Sequence, residues 1–193
     1  SALVKGDNRL TVRVSDPTDQ GIQPRGKQVR RPEGIWYTSV SGIWQTVWLE
    51  PVPEHSISYL RVTPDIDRRI LSVEVSTESK GVVQVEVSAG GKTVSSSRSL
   101  CGQRIEVPMP ADMLLWSPEN PFLYDLSISL WEGNRCVDRV KSYAAMRKYS
   151  VKRDESGIVR LQLNNQDLFQ YGPLDQGWWP DGLYTAPSDS ALL

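Results

Sequence analysis

Cysteine is scarce in this chain of 193 residues: there are two, Cys101 and Cys136, beside a single histidine, His55. So few soft ligands exclude a zinc ribbon or a disulfide-knit scaffold, and the two thiols have no metal-ligand spacing. A bond between them is expected only where the fold makes their strands neighbours. No metal or other cofactor is expected. Long apolar runs are missing as well; none approaches the roughly 20 residues of a spanning helix, so no membrane partner is expected. An excess of charge of one sign is also missing. Lys and Arg number 22 against 23 Asp and Glu, which removes the electrostatic case for a nucleic-acid partner. Residues Ser1 to Gly6 lack the apolar core of a secretory leader, and the chain starts almost inside a strand, as an excised piece would.

What is present is aromatic and β-forming. Seven tryptophans stand against two phenylalanines, a bias that suits buried cores and sugar-stacking surfaces, the core being the commoner use. Residues Asn8 to Asp16 alternate apolar and polar with period 2, which predicts a half-buried antiparallel strand. A basic loop from Ile22 to Glu33 follows, carrying Arg25, Lys27, Arg30 and Arg31. It reads as a solvated loop or as one facing a ligand. Ile43 to Leu49 predicts another strand, and Pro51-Val52-Pro53-Glu54-His55 a stiff linker in which His55 is solvated.

From Ser58 the pattern repeats. Strands are predicted at Tyr59 to Thr63, Ile70 to Ser76, Val82 to Ala89, Val94 to Arg98, Arg104 to Val107, Leu123 to Leu130 and Cys136 to Lys148. Turn chemistry separates them, and seven such strands over roughly ninety residues fit an immunoglobulin-like β-sandwich. Before the sixth lies Leu115-Trp116-Ser117-Pro118-Glu119-Asn120-Pro121-Phe122-Leu123-Tyr124. Its prolines fix φ and bias their predecessors towards extended geometry, making a stiff strap anchored by Trp116 and Tyr124. Glu119 within it reads as structural, since no partner carboxylate accompanies it.

Past Lys148, Tyr149 to Leu163 predicts a hairpin turning at Glu155-Ser156-Gly157, with a second turn at Asn164-Asn165 and a short strand from Leu168 to Tyr171. The loop from Gly172 to Tyr184 is aromatic and acidic, and Ser188 is a candidate N-cap for a helix. A strand, a rich loop and a helix start resemble the first βα unit of a larger α/β domain.

Three of these segments resemble glycoside hydrolase family 2, the β-galactosidase, β-glucuronidase and β-mannosidase group. Ser41 to Leu49 is similar to the last strand of that family's jelly-roll domain, Leu115 to Tyr124 to its strap, and Arg160 to Gly172 to the hairpin entering its TIM barrel. The resemblance implies an all-β chain: an immunoglobulin-like β-sandwich with a partial jelly-roll segment before it and the first βα unit of a truncated TIM barrel after it. The expected domains are residues 1–53, 54–148 and 149–193. It also implies retaining hydrolysis of an oligosaccharide or β-glycoside by two glutamates, the acid/base one following an asparagine. No Asn-Glu dipeptide occurs here, so no catalytic residue is assigned and the chain alone is expected to be inert. A periplasmic or secreted parent is expected over a cytoplasmic one.

Substrate contacts in the intact enzyme are expected from Asp16, at a position resembling the family's aspartate loop, and from Asp175, Gln176, Trp178, Trp179 and Asp181. Paired tryptophans stack on sugar rings, while carboxylates and amides bind hydroxyls. Two rival readings stand: Asp16 as a local turn residue before Pro17, and the Trp178–Trp179 loop as one packed beneath a neighbouring sandwich. The family's better-known pattern has a histidine-bearing loop where this chain has Gly172 to Gly182. A free-standing carbohydrate-binding or adhesion module is the alternative for the whole. Apolar strand edges between Asn8 and Leu49 are expected to cover themselves on the central sandwich or on a second copy of the chain.

Overall fold

The computed structural model describes residues 4–43, 46–177, 179 and 185–193. They form two compact units: Glu50–Gly172, and Ser1–Leu49 together with Pro173–Leu193.

The larger unit is a β-sandwich. One sheet is β3 (Tyr59–Asp65), β4 (Ile70–Ser76) and β7 (Ile105–Pro108), in the order β3-β4-β7. The other is β5 (Val82–Ala89), β6 (Lys92–Leu100), β8 (Tyr124–Glu132) and β9 (Arg135–Ala144), in the order β6-β5-β8-β9. Every pairing is antiparallel. All seven predicted strands are present, within a few residues of their expected bounds. Alternation decides which side chains face inward: Leu71, Val73, Ile105 and Val107 from one sheet meet Val83, Val85, Val87, Leu126, Ile128 and Leu130 from the other, all essentially buried. Gly81 stands where a Cβ would come within 2.0 Å of the Trp131 carbonyl oxygen, so only glycine lets these backbones approach. On the β6 side the two sheets are joined by hydroxyls. Ser95 Oγ donates to the Pro108 carbonyl (2.5 Å) and Ser97 Oγ to that of Glu106 (2.8 Å), so carbonyls of edge strand β7 gain partners.

The strap is pinned at both anchors. Tyr124 is buried and its hydroxyl accepts the Leu114 N–H at 2.7 Å. The Trp116 N–H donates to the Met146 carbonyl (2.9 Å), and the Arg147 guanidinium lies 4.7 Å from the indole centroid. Glu119 is exposed.

The hairpin follows as β10 (Tyr149–Arg153) and β11 (Val159–Leu163), with β12 (Gln166–Asp167) on the far side of β11. Its turn is held by Asp154, whose Oδ1 accepts the Ser156 and Ile158 N–H groups, each at 2.9 Å. Asn164 and Asn165 both take positive φ (54° and 66°), the left-handed turn that asparagine tolerates best. The expected strand at Leu168–Tyr171 is not formed. The Leu168 N–H still reaches the Leu161 carbonyl (3.0 Å), but the ladder does not continue and Phe169 and Tyr171 are exposed.

The two cysteines are free. Leu100, Val82, Trp131 and Cys136 lie in one row across the sheet. Three strand spacings of about 4.8 Å put the ends of that row roughly 14 Å apart, beyond disulfide reach.

In the smaller unit β1 (Gln28–Val29) runs parallel to β2 (Tyr37–Thr38). The strands predicted at Asn8–Asp16 and Ile43–Leu49 are absent among the described residues. Leu10, Val12 and Val14 are 73%, 58% and 50% exposed, so among the described residues the alternating pattern has neither a partner strand nor a surface that covers it. Ser188 takes extended N-cap geometry before a 3₁₀ turn at Asp189–Ala191, without a side-chain cap bond.

Candidate functional site

The candidate site is built within the smaller unit, from the turn after Asp16, the basic loop and the segment beginning at Pro173. Asp16 Oδ1 accepts the Thr18 N–H (2.7 Å), and its Oδ2 accepts the Ser41 hydroxyl (2.9 Å). The Thr18 amide first, and Ser41 second, hold this exposed carboxyl below the ordinary carboxylate range, so it is an anion and an acceptor at neutral pH. Thr18 is buried with φ 60°, and its carbonyl accepts Gln23 Nε2 at 2.8 Å. The turn thus has its own internal bonding, as the local reading of Asp16 requires. It also fronts a small cleft of about 60 Å³ lined by Asp16, Thr18, Pro24, Arg25 and Gln28.

The basic loop is braced as well. The Tyr37 N–H donates to the Lys27 carbonyl (2.8 Å), Gln28 Oε1 accepts the Val40 N–H (2.7 Å), and the Arg25 guanidinium lies 5.7 Å from the Trp36 ring centroid. Arg30 pairs with Asp19 at 3.7 Å.

Onto this frame comes the segment after Pro173. Asp175 Oδ1 accepts the Gly177 N–H (2.7 Å), a local turn. Gln176 Oε1 accepts two donors, the Tyr37 hydroxyl at 3.0 Å and the Lys27 ammonium at 3.3 Å. Trp179 is half-buried, whereas Trp178 and Asp181 lie outside the described residues. Of the expected site residues, Asp16, Asp175, Gln176 and Trp179 therefore share one unit, and among the described residues no hydrogen bond joins Asp16 to Asp175 or Gln176. Lys27 and Tyr37 emerge only from the structure. The signal available for Lys27 was its place in a basic loop, and Tyr37 had none.

The arrangement offers anionic acceptors, an amide and cations at the surface, a set suited to binding hydroxyls. Elsewhere, His55 Nδ1 lies 2.6 Å from Glu132 Oε1, which also accepts the Ser79 hydroxyl (2.7 Å). This contact ties the linker to the sandwich. No three of the described His, Cys, Asp and Glu residues come together as a group that could hold a metal ion.

Residues 52–147 match the family model described as glycosyl hydrolases family 2. A putative β-glucuronidase of Formosa agariphila is 25% identical over 161 residues, covering 78% of this chain and 19% of that protein. A β-galactosidase of Thermoanaerobacter pseudethanolicus is 23% identical over 201 residues, covering 95% of this chain and 26% of that protein. A β-galactosidase of Enterobacter cloacae is 29% identical over 150 residues, covering 67% and 14%. Among solved structures, the β-glucuronidase of Ruminococcus gnavus superposes with a TM-score of 0.50 at 23% identity, over 62% of this chain and 20% of that one, a likeness of fold. The chain spans about a quarter or less of the length of these relatives.

Proposed function

We propose, for a chain that belongs to glycosyl hydrolases family 2, that it is a non-catalytic segment of a retaining β-glycosidase. In this reading residues 1–53 close a jelly-roll sugar-binding domain, 54–148 are the immunoglobulin-like spacer, and 149–193 open a TIM barrel. The observation that carries it is the family match over the sandwich, joined to what the carboxylates do. Retaining hydrolysis needs one carboxyl group kept protonated by a raised pKa, beside a second one ionised. Among the described residues, the carboxylates whose titration the fold shifts, Asp16, Asp67, Glu132 and Asp154, are shifted down by hydrogen-bond donors. They are built to stay charged, which suits structure and binding and does not suit a general acid.

The site residues then serve the substrate of the intact enzyme: Asp16 and Asp175 accept from hydroxyls, Gln176 and Asp181 add polar contacts, and Trp178 and Trp179 stack on a ring. Self-association through the uncovered Leu10, Val12 and Val14 edge belongs to the same reading, and light scattering at rising concentration tests it. Purified chain is expected to release no p-nitrophenol from β-galactoside, β-glucuronide or β-mannoside above a buffer blank, while the intact enzyme turns over at least one. Turnover by the 193-residue chain itself would refute the reading. Calorimetry with the same sugars separates it from a free-standing binding module, which would show affinity lost on Trp179→Ala.

A further inference from the structure

The side-chain amide of Gln176 has two ends of opposite character, and its surroundings decide which end faces outward. Lys27 Nζ and Tyr37 Oη both approach Oε1, at 3.3 and 3.0 Å. An ammonium carries three donors and no acceptor, so the amide oxygen must face Lys27 and the NH₂ group must point away. Two features make that orientation durable. Lys27 and Tyr37 are tied to each other through the Tyr37 N–H and the Lys27 carbonyl (2.8 Å), beside the β1–β2 pairing of Gln28 with Tyr37. Among the described residues, no carboxylate pairs with Lys27 and draws its charge elsewhere. Gln176 is exposed, and its Nε2 has no partner among the described residues.

We propose that Lys27 and Tyr37 are positioning residues that fix Gln176 as a hydrogen-bond donor towards substrate, so that this point of the site reads an acceptor oxygen of the sugar. The inference rests on the reading of the chain as part of a β-glycosidase and adds to it an atom, a polarity and a cause. Asp16 and Asp175 are acceptors and select hydroxyl protons. Gln176 supplies the opposite polarity, and a sugar bearing an oxygen at that point is retained over its deoxy or amino counterpart. A carboxylate oxygen of a uronic acid and a neutral hydroxyl oxygen are both acceptors, and the choice of substrate separates them.

The decisive variant is Gln176→Glu in the intact enzyme. It keeps an oxygen on Lys27 and Tyr37, now with an ion pair, and removes the donors. KM is expected to rise about 10-fold with kcat within twofold, the mark of a lost binding hydrogen bond. An effect on both p-nitrophenyl β-galactoside and β-glucuronide identifies a hydroxyl oxygen as the acceptor; an effect confined to the glucuronide identifies its carboxylate. Lys27→Met is expected to raise KM a few-fold, and Lys27→Arg to restore it. Wild-type kinetics in Gln176→Glu would show a mere clasp and overturn the inference, as would a loss confined to kcat. If the wild-type enzyme turns over no β-glycoside, the parent reading fails and this one fails with it. The 193-residue chain supplies a further check. In ¹⁵N spectra the Gln176 side-chain NH₂ pair should shift on Lys27→Met, and an unmoved pair would also overturn the inference.

Discussion

The sandwich and the smaller unit share a β-forming vocabulary and use it differently. In the seven sandwich strands of Glu50–Gly172 the alternating runs meet a facing sheet, and the fully buried side chains from Leu71 to Met146 fill the space between the two sheets. In the smaller unit the run Leu10, Val12, Val14 is as regular as any in the sandwich, yet it lies open to solvent. The unit is organised instead by polar groups: the Asp16–Thr18 turn, the Gln28–Val40 bond and the double acceptor Gln176. Periodicity states which face a strand would bury. It does not provide the surface to bury it against.

That contrast can be broken by truncating one methyl-rich side chain in each region. Ile128→Ala in the sandwich core is expected to cost about 2–5 kcal/mol, whereas Val12→Ala is expected to stay within about 0.5 kcal/mol. Urea unfolding of the two variants reads both values, and equal losses would show that Val12 is covered in solution. Asn164→Ala should come next. Its side chain accepts the Lys148 N–H (3.0 Å) and donates to the Trp116 carbonyl (2.9 Å), joining hairpin, strap and sandwich. Losing both bonds, with alanine left at φ 54°, is expected to cost about 1–3 kcal/mol. Hydrogen exchange should show the loss concentrated in β10 and β11.

A smaller effect is expected with acid, mostly in the larger unit. Asp67 is lowered chiefly by the Lys148 hydrogen bond, Glu132 by Ser79 and then His55, and Asp154 by the Ile158 amide and then Arg160. Folded-state values below the unfolded ones mean stability that is whole above about pH 4 and is lost as pH falls through the lower folded values. These carboxylates are exposed, so the slope is shallow. Lys148→Met should flatten it further, as the thermal midpoint between pH 6 and 2 will show. Smallest of all is the response to reductant. With both thiols free, Cys101 just past the end of β6 and Cys136 on β9 at the opposite edge of the sheet, dithiothreitol should leave the thermal midpoint unchanged.

By itself the sequence determined the sandwich: strands, turns and strap are legible because each depends on neighbours along the chain. Alternation sets the inward face, proline sets φ, and paired asparagines accept a left-handed turn. Asp16 and Gln176 became candidates through the family resemblance, which places them on loops facing the substrate; their residue types and local spacing alone marked only polar loop positions. Tertiary structure alone decided the rest. Whether Asn8–Asp16 pairs depends on a strand from elsewhere, and whether two cysteines bond depends on how many strands separate them. The pairing of Gln176 with Lys27 and Tyr37 spans 149 and 139 residues. Contacts of that range follow from the folded path of the chain, and no local pattern of residue types carries them.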